Sequence, residues 1–337
     1  MREEHLKLIC NNFETKSKFI DVDNWTAEVY SFGKNIRDYG FYASFLPLNI
    51  YTDHSPFTSS DKPAPHELKS KAAVQFYHNP RMVEEFKKIS TKPCYSLYSP
   101  FVFYRRKNKI EQLPNAKGTL AFPAHTTEAV DDLSDLNIYI SQLKKLPKNF
   151  HPISICFHMH DINKERYKIF IDHGFDVYTA GNINDDRFSE RFYNILKKFR
   201  YTTSNLIGAY TCYSVEMGIP FFIYGEDPQY YNHWDPNFEI GNYSSYKEAP
   251  KYIFAKNLFK EVTSDVSKEQ KDFIEDSLGI NYGVSRLKMS FILYGCFFKY
   301  LIKIKILKMF LKSSLKMIKK YTRPIRRKIR KILWAKK

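Results

Sequence analysis

Residues 200–226 read RYTTSNLIGAYTCYSVEMGIPFFIYGE. Two apolar segments, 200–204 and 220–226, flank about a dozen residues with helical spacing, and polar or glycine residues stand where the first segment ends. The same alternation occurs upstream, where ISICFHMH (153–160) and DVYTAG (176–181) are each followed by a helix-like segment. Strands that alternate with helices of this length predict βα units and a parallel sheet.

This regular pattern predicts a doubly wound, Rossmann-like domain over residues 148–265. Residues 1–147 are more irregular and rich in proline and aromatic residues, but they contain strand-like CYSLYSPFVFY (94–104) and GTLAFPAH (118–125). We predict an α/β domain there as well. A linker or helix over 266–285 and a basic tail over 286–337 complete the predicted division.

The excess of positive over negative charge lies in the tail. The chain has a net charge of +17, yet residues 286–337 hold 18 Lys and Arg and no Asp or Glu, so the remainder is close to neutral. Helical spacing in the tail places Lys305, Lys308, Lys312, Lys316 and Lys319 on one side and apolar residues on the other. This pattern predicts reversible attachment to an anionic membrane surface. A helix packed on the body or on a partner is the alternative, and no nucleic-acid-binding module is present.

The remaining composition indicates a peripheral protein on the inner face of the cytoplasmic membrane. The N-terminal residues do not resemble a secretory signal, and no stretch of 18 apolar residues predicts a spanning helix. Five widely separated cysteines predict neither a disulfide framework nor a zinc site, which fits a reducing cytoplasm.

Open α/β sheets bind ligands at the carboxyl ends of their strands. The residues at these ends, which we expect to converge on one crevice, include His158, Asp161, Gly181, Ser204, Asn205, Gly208 and Glu226. Ser204 or Asn205 can cap the following helix, and Gly208 leaves room for a phosphate oxygen near the backbone. Ordinary helix capping is the alternative interpretation of that junction.

DVYTAG, the helix after it and residues 200–226, together with FPAHTT (122–127), resemble the donor half of GT-B-type glycosyltransferases of capsule, O-antigen and lipopolysaccharide assembly. The resemblance covers residues 118–227. It implies two Rossmann-like domains facing a cleft, with the nucleotide-sugar donor on residues 148–265 and the acceptor on residues 1–147. It also implies no obligatory metal, no separate cofactor, and a diphosphate held by Gly181, Ser204, Asn205 and Gly208.

The E-x7-E pair of many retaining members is not seen, since Glu216 and Glu226 are ten residues apart, which favours an inverting mechanism. Inversion requires a general base near the acceptor hydroxyl. The candidates are His54, whose basicity Asp53 could raise, and His125. In HMHD (158–161) we interpret His158 and Asp161 as donor-binding groups and expect no metal, because no third ligand has matching spacing.

The sequence therefore predicts a glycosyltransferase that moves a sugar from a nucleotide-sugar to a lipid-linked or cell-surface polysaccharide acceptor. A polysaccharide pyruvyl transferase-like enzyme, which would use phosphoenolpyruvate, is one alternative and would need a basic cluster in the cleft. A non-catalytic membrane-surface scaffold with a transferase-like body is the other, and would show the cleft residues scattered.

Overall fold

The computed structural model describes residues 2–15, 26–53, 55–58 and 62–302. His54 and residues 303–337, which form most of the predicted tail, lie outside the described residues. The strands are β1 (Ile50–Thr52), β2 (Val74–Tyr77), β3 (Cys94–Ser96), β4 (Thr119–Ala121), β5 (Val130–Asp132), β6 (Ile153–Cys156), β7 (Asp176–Tyr178), β8 (Tyr201–Ser204), β9 (Phe221–Ile223), β10 (Tyr230–Asn232) and β11 (Gly241–Tyr243). The helices are α1 (Glu3–Asn11), α2 (Phe32–Tyr39), α3 (Pro65–Lys69), α4 (Pro80–Ile89), α5 (Pro100–Lys107), α6 (Leu136–Lys144), α7 (Met159–Asn163), α8 (Lys168–Asp172), α9 (Phe188–Leu196), α10 (Ala209–Glu216), α11 (Pro250–Leu258) and α12 (Lys268–Ser277).

Five parallel strands form the largest sheet, in the order β7-β6-β4-β8-β9. The predicted alternation of strands and helices between residues 153 and 226 is confirmed. The central strand is β4, where Leu120 pairs with Ser154 on one side and Thr202 on the other. Because β4 precedes residue 147, this sheet extends across the predicted domain boundary.

The other strands in the described part of the chain form two smaller sheets. β1, β2 and β3 form a parallel sheet in that order, and β5 joins β10 and β11 in an antiparallel one. The predicted strand over 94–104 is correct only for 94–96. The rest is α5, because the Ser99 side chain accepts a hydrogen bond from the Val102 N–H and Pro100 occupies the first helical position.

One apolar core joins the two parallel sheets. Phe101 of α5 stacks on Tyr213 of α10 with ring centroids 4.3 Å apart and contacts Phe192 of α9 at 5.6 Å. On its other side it meets Phe32 of α2 at 5.9 Å. Arg105 adds an ion pair of 2.6 Å to the buried carboxylate of Glu216. The two units are therefore packed together through α5, and the predicted cleft between them stays a prediction.

After α12 the chain returns to the sheet of β1, β2 and β3. Gly279 and Gly283 approach the backbone of Leu97 and Tyr98 so closely that an added Cβ would lie 2.3 Å from the Leu97 carbonyl and 2.5 Å from the Tyr98 nitrogen. Residues 286–302 then form a helix, here called the C-terminal helix. In the part of the chain that the structure describes, no helix combines the length and apolarity needed to cross a membrane.

Candidate functional site

Three histidines meet at the carboxyl ends of β4 and β6. The rings of His125 and His158 stack with centroids 4.8 Å apart, and those of His158 and His160 lie 5.1 Å apart. His125 is exposed, and the other two are partly exposed. We call these three residues the histidine cluster. His125, predicted from the acceptor half, therefore lies beside the predicted donor-binding His158, because β4 and β6 are neighbours in one sheet.

The orientation of the central imidazole is set by two contacts. His158 immediately precedes α7, and its Nδ1 accepts a hydrogen bond of 3.4 Å from the His160 backbone N–H. A neutral imidazole that accepts at Nδ1 carries its proton on Nε2. That nitrogen lies 3.4 Å from the Tyr30 hydroxyl. Tyr30 itself has a φ of 56°, a strained value for a residue other than glycine.

Burial lowers the pKa of His160 from its usual 6.5. His125 and Lys164 lower the pKa further, whereas Glu128 and Asp161 oppose this shift. A lowered pKa keeps the imidazole neutral near pH 7. His160 can therefore donate one N–H to a ligand and accept at its other nitrogen.

Asp161 holds the loop after β4 against the loop after β6. Its Oδ1 accepts hydrogen bonds from the backbone N–H of Thr126 at 3.1 Å and from the Thr126 hydroxyl at 3.0 Å. The same oxygen pairs with Arg166 at 2.7 Å, and Arg166 also pairs with Asp132 at 2.7 Å. Asp161 is buried, so this carboxylate supports His125 and His158 from within the protein. The contact of Asp161 with the donor stays a prediction.

Asn205 makes the corresponding connection on the other side of β4. Its Oδ1 accepts from the Ala124 N–H at 2.9 Å, and its Nδ2 donates to the Glu226 carbonyl at 3.1 Å. The loops after β4, β8 and β9 are thus joined by one amide. Together with Asp161, Asn205 brings four of the five strand ends of this sheet into one connected edge.

A pocket of about 240 Å³ opens beside this edge. Asn205 and Glu226 lie in its wall with Pro123, two residues before His125. The other lining residues are Asp132, Leu133, Ser134, Asp135, Leu136, Ile138, Tyr139, Gln142, Asp227 and Gln229. Four of the lining side chains are carboxylates and none is basic, so the wall is rich in hydrogen-bond acceptors.

The residues predicted for the diphosphate make contacts within the protein. The buried Ser204 hydroxyl lies 2.9 Å from the Tyr210 hydroxyl and accepts from the Leu206 N–H at 3.0 Å. Gly208 precedes α10, and a Cβ there would lie 2.7 Å from the Tyr210 ring. Gly181 has a φ of 87°, and an added Cβ would lie 2.7 Å from the Ile9 carbonyl of α1. These positions are explained by local packing, and their ligand contacts stay predictions.

Asp53 contacts His78, a residue that is not among the predicted site residues. The Asp53 carboxylate accepts from the His78 backbone N–H at 3.1 Å and lies 2.6 Å from the ring Nδ1. Asp53 and His78 directly follow β1 and β2, which pair in parallel, so both stand at one sheet edge. The position of His78 after the strand-like VQFY (74–77) was the available signal. The proposed partner His54 lies outside the described residues.

Tyr30 and Arg166 were also missed, because neither stands at a strand end. Among the described residues, no group of three or more His, Cys, Asp or Glu side chains is placed to hold a metal ion. The expectation of a metal-free site stays a prediction.

No protein-family model and no curated protein matches this sequence. Among solved structures, the chain is similar to UDP-GlcNAc 2-epimerase from Neisseria meningitidis bound to UDP-GlcNAc, with 12% identity and a TM-score of 0.34. That match covers 70% of this chain and 62% of the epimerase, less than two thirds of its length. The chain is also similar to the wall teichoic acid polymerase TagF with CDPG, at 11% identity and a TM-score of 0.34, covering 89% of this chain and 93% of TagF. Both likenesses are distant, and the fold described above rests on this chain's own topology.

Proposed function

We propose that this protein is a GT-B-type glycosyltransferase that moves a sugar from a nucleotide-sugar to a lipid-linked or cell-surface polysaccharide acceptor. The observation that carries this proposal is the histidine cluster at the carboxyl edge of the parallel sheet. Ligands of open α/β sheets bind at this edge. Accessible imidazoles there can donate N–H groups to phosphate oxygens and can accept a proton from a hydroxyl.

In the proposed reaction His160, whose ring lies beside that of His158, donates an N–H to the diphosphate, and His125 is the general base. The bond between the anomeric carbon and the diphosphate breaks, and the negative charge on the leaving oxygen grows. An imidazole N–H that is donated to that oxygen stabilises the transition state. The acceptor hydroxyl oxygen bonds to the anomeric carbon from the side opposite the diphosphate and His125 takes the hydroxyl proton, which completes an inverting transfer without a metal.

The pocket beside the cluster suits the sugar of the donor. Its carboxylates, among them Glu226, accept hydrogen bonds from hydroxyl groups. Pro123 in its wall and His125 belong to one short loop. A nucleotide-sugar can therefore place its diphosphate on one side of this loop and its sugar on the other.

The ion pairs at this edge weigh against phosphoenolpyruvate as the substrate. Lys164 pairs with Asp131, Arg166 with Asp161 and Asp132, and Arg191 with Asp185. A small substrate with a carboxylate and a phosphate needs cations that are not neutralised in this way. The scaffold alternative is disfavoured by the convergence of His125, His158, Asn205 and Glu226 on one edge.

The basic tail supports the proposed location on the inner face of the cytoplasmic membrane. Each basic residue near an anionic leaflet contributes about 1 kcal/mol of attraction, and residues 286–337 contain 18 of them. Such attachment would keep the enzyme beside a lipid-linked acceptor.

The test is ligand binding by the full chain, measured as a thermal shift with UDP, CMP, GDP, UDP-GlcNAc, CDPG and phosphoenolpyruvate. A ligand at 100 times its Kd stabilises the folded state by about 2.7 kcal/mol. We expect a shift with one nucleotide class, and about tenfold weaker binding in His160→Ala, equivalent to the loss of one good hydrogen bond. His125→Ala should bind the same nucleotide but lose transfer.

His173→Ala is the matched control, because His173 is an exposed histidine whose ring bonds to the Ile169 carbonyl of its own turn. A shift with phosphoenolpyruvate alone would replace this proposal by the pyruvyl transferase. If none of these ligands shifts the unfolding temperature, the non-catalytic membrane-surface scaffold is favoured.

A further inference from the structure

The C-terminal helix carries apolar side chains on two opposite faces. Met289, Leu293 and Cys296 are buried against the body. The opposite face exposes five large apolar side chains, Leu287, Phe291, Phe298, Leu301 and Ile302. At helical spacing these five fall within an arc of about 100°, the width of the apolar face of an amphipathic helix. We call them the outer stripe.

The body holds this helix in one orientation. The Arg286 guanidinium donates to the carbonyls of Tyr39 at 2.9 Å and Asp38 at 3.0 Å, and its centre lies 4.0 Å from the centroid of the exposed Phe41 ring. Tyr294 donates its hydroxyl to the Phe41 carbonyl at 3.3 Å. These contacts tie the helix to the end of α2. The direction in which the outer stripe faces is therefore set before any partner binds.

Phe291 is 80% exposed and Phe298 is 59% exposed, which is unusual for phenylalanines arranged along one line. Contiguous exposed apolar surface commonly marks a contact with a membrane or a partner. The stripe is bordered by the exposed Lys288 and Lys299, and the segment 286–337 carries no acidic side chain. Two copies meeting through this face would bring Lys288 and Lys299 of each chain together with no acidic partner on the helix, so charge favours an anionic lipid surface instead.

We propose that the outer stripe, with Phe41, inserts into the interface of an anionic phospholipid bilayer. The C-terminal helix then lies in the membrane plane, because its opposite face is occupied by the body. Lys288 and Lys299 reach the lipid headgroups from the border of the stripe. This inference rests on the proposed membrane attachment and adds a preformed surface that fixes the orientation of the body on the bilayer.

The experiment is co-sedimentation of the full chain with vesicles of phosphatidylcholine and phosphatidylglycerol, and with vesicles of phosphatidylcholine alone. The double variant Phe291→Glu/Phe298→Glu should partition at least about tenfold more weakly, since burial of one phenylalanine is worth more than the 1.4 kcal/mol that a factor of ten represents. Trp234→Glu is the matched control, because Trp234 is 62% exposed and lies between β10 and β11. It should sediment like the unchanged chain.

Equal sedimentation of the double variant and the unchanged chain would mean that the basic tail binds alone, which overturns the inference but not the membrane attachment. Self-association that is lost in the double variant, without vesicle binding by the unchanged chain, would make a second copy the partner and overturn both. Circular dichroism confirms that the variants fold. The nucleotide panel is measured without vesicles, so its outcome is independent of this test.

Discussion

At the scale of single residues, Asp161 and Arg166 make the histidine cluster dependent on a buried ion pair. Both side chains are largely buried, and Asp161 also accepts from Thr126. Removing one member of a buried pair costs about 3–5 kcal/mol when the other is left uncompensated, and Arg166 keeps Asp132 at 2.7 Å, so we take the lower end, about 3 kcal/mol. We expect Asp161→Ala to lower the free energy of unfolding by this amount in urea titrations.

Lys168→Ala is the control for this change, since Lys168 forms an exposed ion pair with Glu165 at 2.7 Å. It should leave stability almost unchanged. Equal stability of the two variants would show that the Asp161 pair contributes nothing.

Glu67 is expected to make stability depend on pH. Burial raises the pKa of Glu67 from 4.5 to about 7, although hydrogen bonds from the Ala64 N–H and the Tyr77 hydroxyl oppose this. The folded protein then binds this proton more tightly than the unfolded chain does. The contribution of this group is complete below pH 4.5 and is lost as the pH rises through about 7.

Urea unfolding at pH 5 and pH 8 checks this expectation. The unchanged protein should lose up to about 3 kcal/mol more than Glu67→Gln does between these values, as a shift of this size implies. An identical loss in both proteins would mean that Glu67 ionises normally.

At the scale of elements, the return of the chain after α12 depends on a close approach of two backbones. Gly279 has a φ of 64°, and a Cβ there would lie 2.3 Å from the Leu97 carbonyl and 2.7 Å from the His78 carbonyl. Gly218 has a φ of 84° and nothing within 4 Å of an added Cβ. The two glycines share the left-handed conformation but differ in the space available.

We therefore expect Gly218→Ala to cost about 1–2 kcal/mol, the price of the left-handed conformation alone. Gly279→Ala should cost more, because β3 must also move away. Thermal unfolding of both variants measures the difference. Similar costs would show that the approach of residue 279 to β3 does not stabilise the fold.

At the scale of the whole molecule, the continuous core predicts one cooperative unfolding transition. Phe101 contacts both sheet units, and truncation of a buried phenylalanine to alanine typically costs about 3–5 kcal/mol. Phe101→Ala should move a single transition to lower urea concentration. Phe86→Ala, equally buried but in the small core of α4, β2 and β3, should do the same if the units are coupled.

Tryptophan fluorescence and far-ultraviolet circular dichroism should give coincident curves for both variants. Two separate unfolding transitions would instead show that the sheet units fold independently. In that case Phe86→Ala would move only one of them to lower urea concentration.

Part of the candidate site was predictable from the positions of the strand ends. His158, Asn205 and Glu226 follow strands, and parallel strands of one sheet end at one edge, so their convergence follows from the local pattern. The contact between His125 and His158 could not be predicted, because it depends on which strand lies beside β6. The predicted pairing of Asp53 with His54 lies outside the described residues and stays a prediction, whereas the contact of Asp53 with His78, 25 residues away, could not be predicted from neighbouring residues.

The alternation of strands and helices between residues 153 and 226, and the separation of charge between body and tail, could be read from the chain itself. Periodicity and charge are properties of neighbouring residues, so they need no knowledge of the fold. The insertion of β4 into the centre of the larger sheet, the core shared through Phe101 and the outward face of the C-terminal helix emerged only from the folded protein. Each depends on contacts between residues far apart in sequence, and no local pattern encodes which distant surfaces will meet.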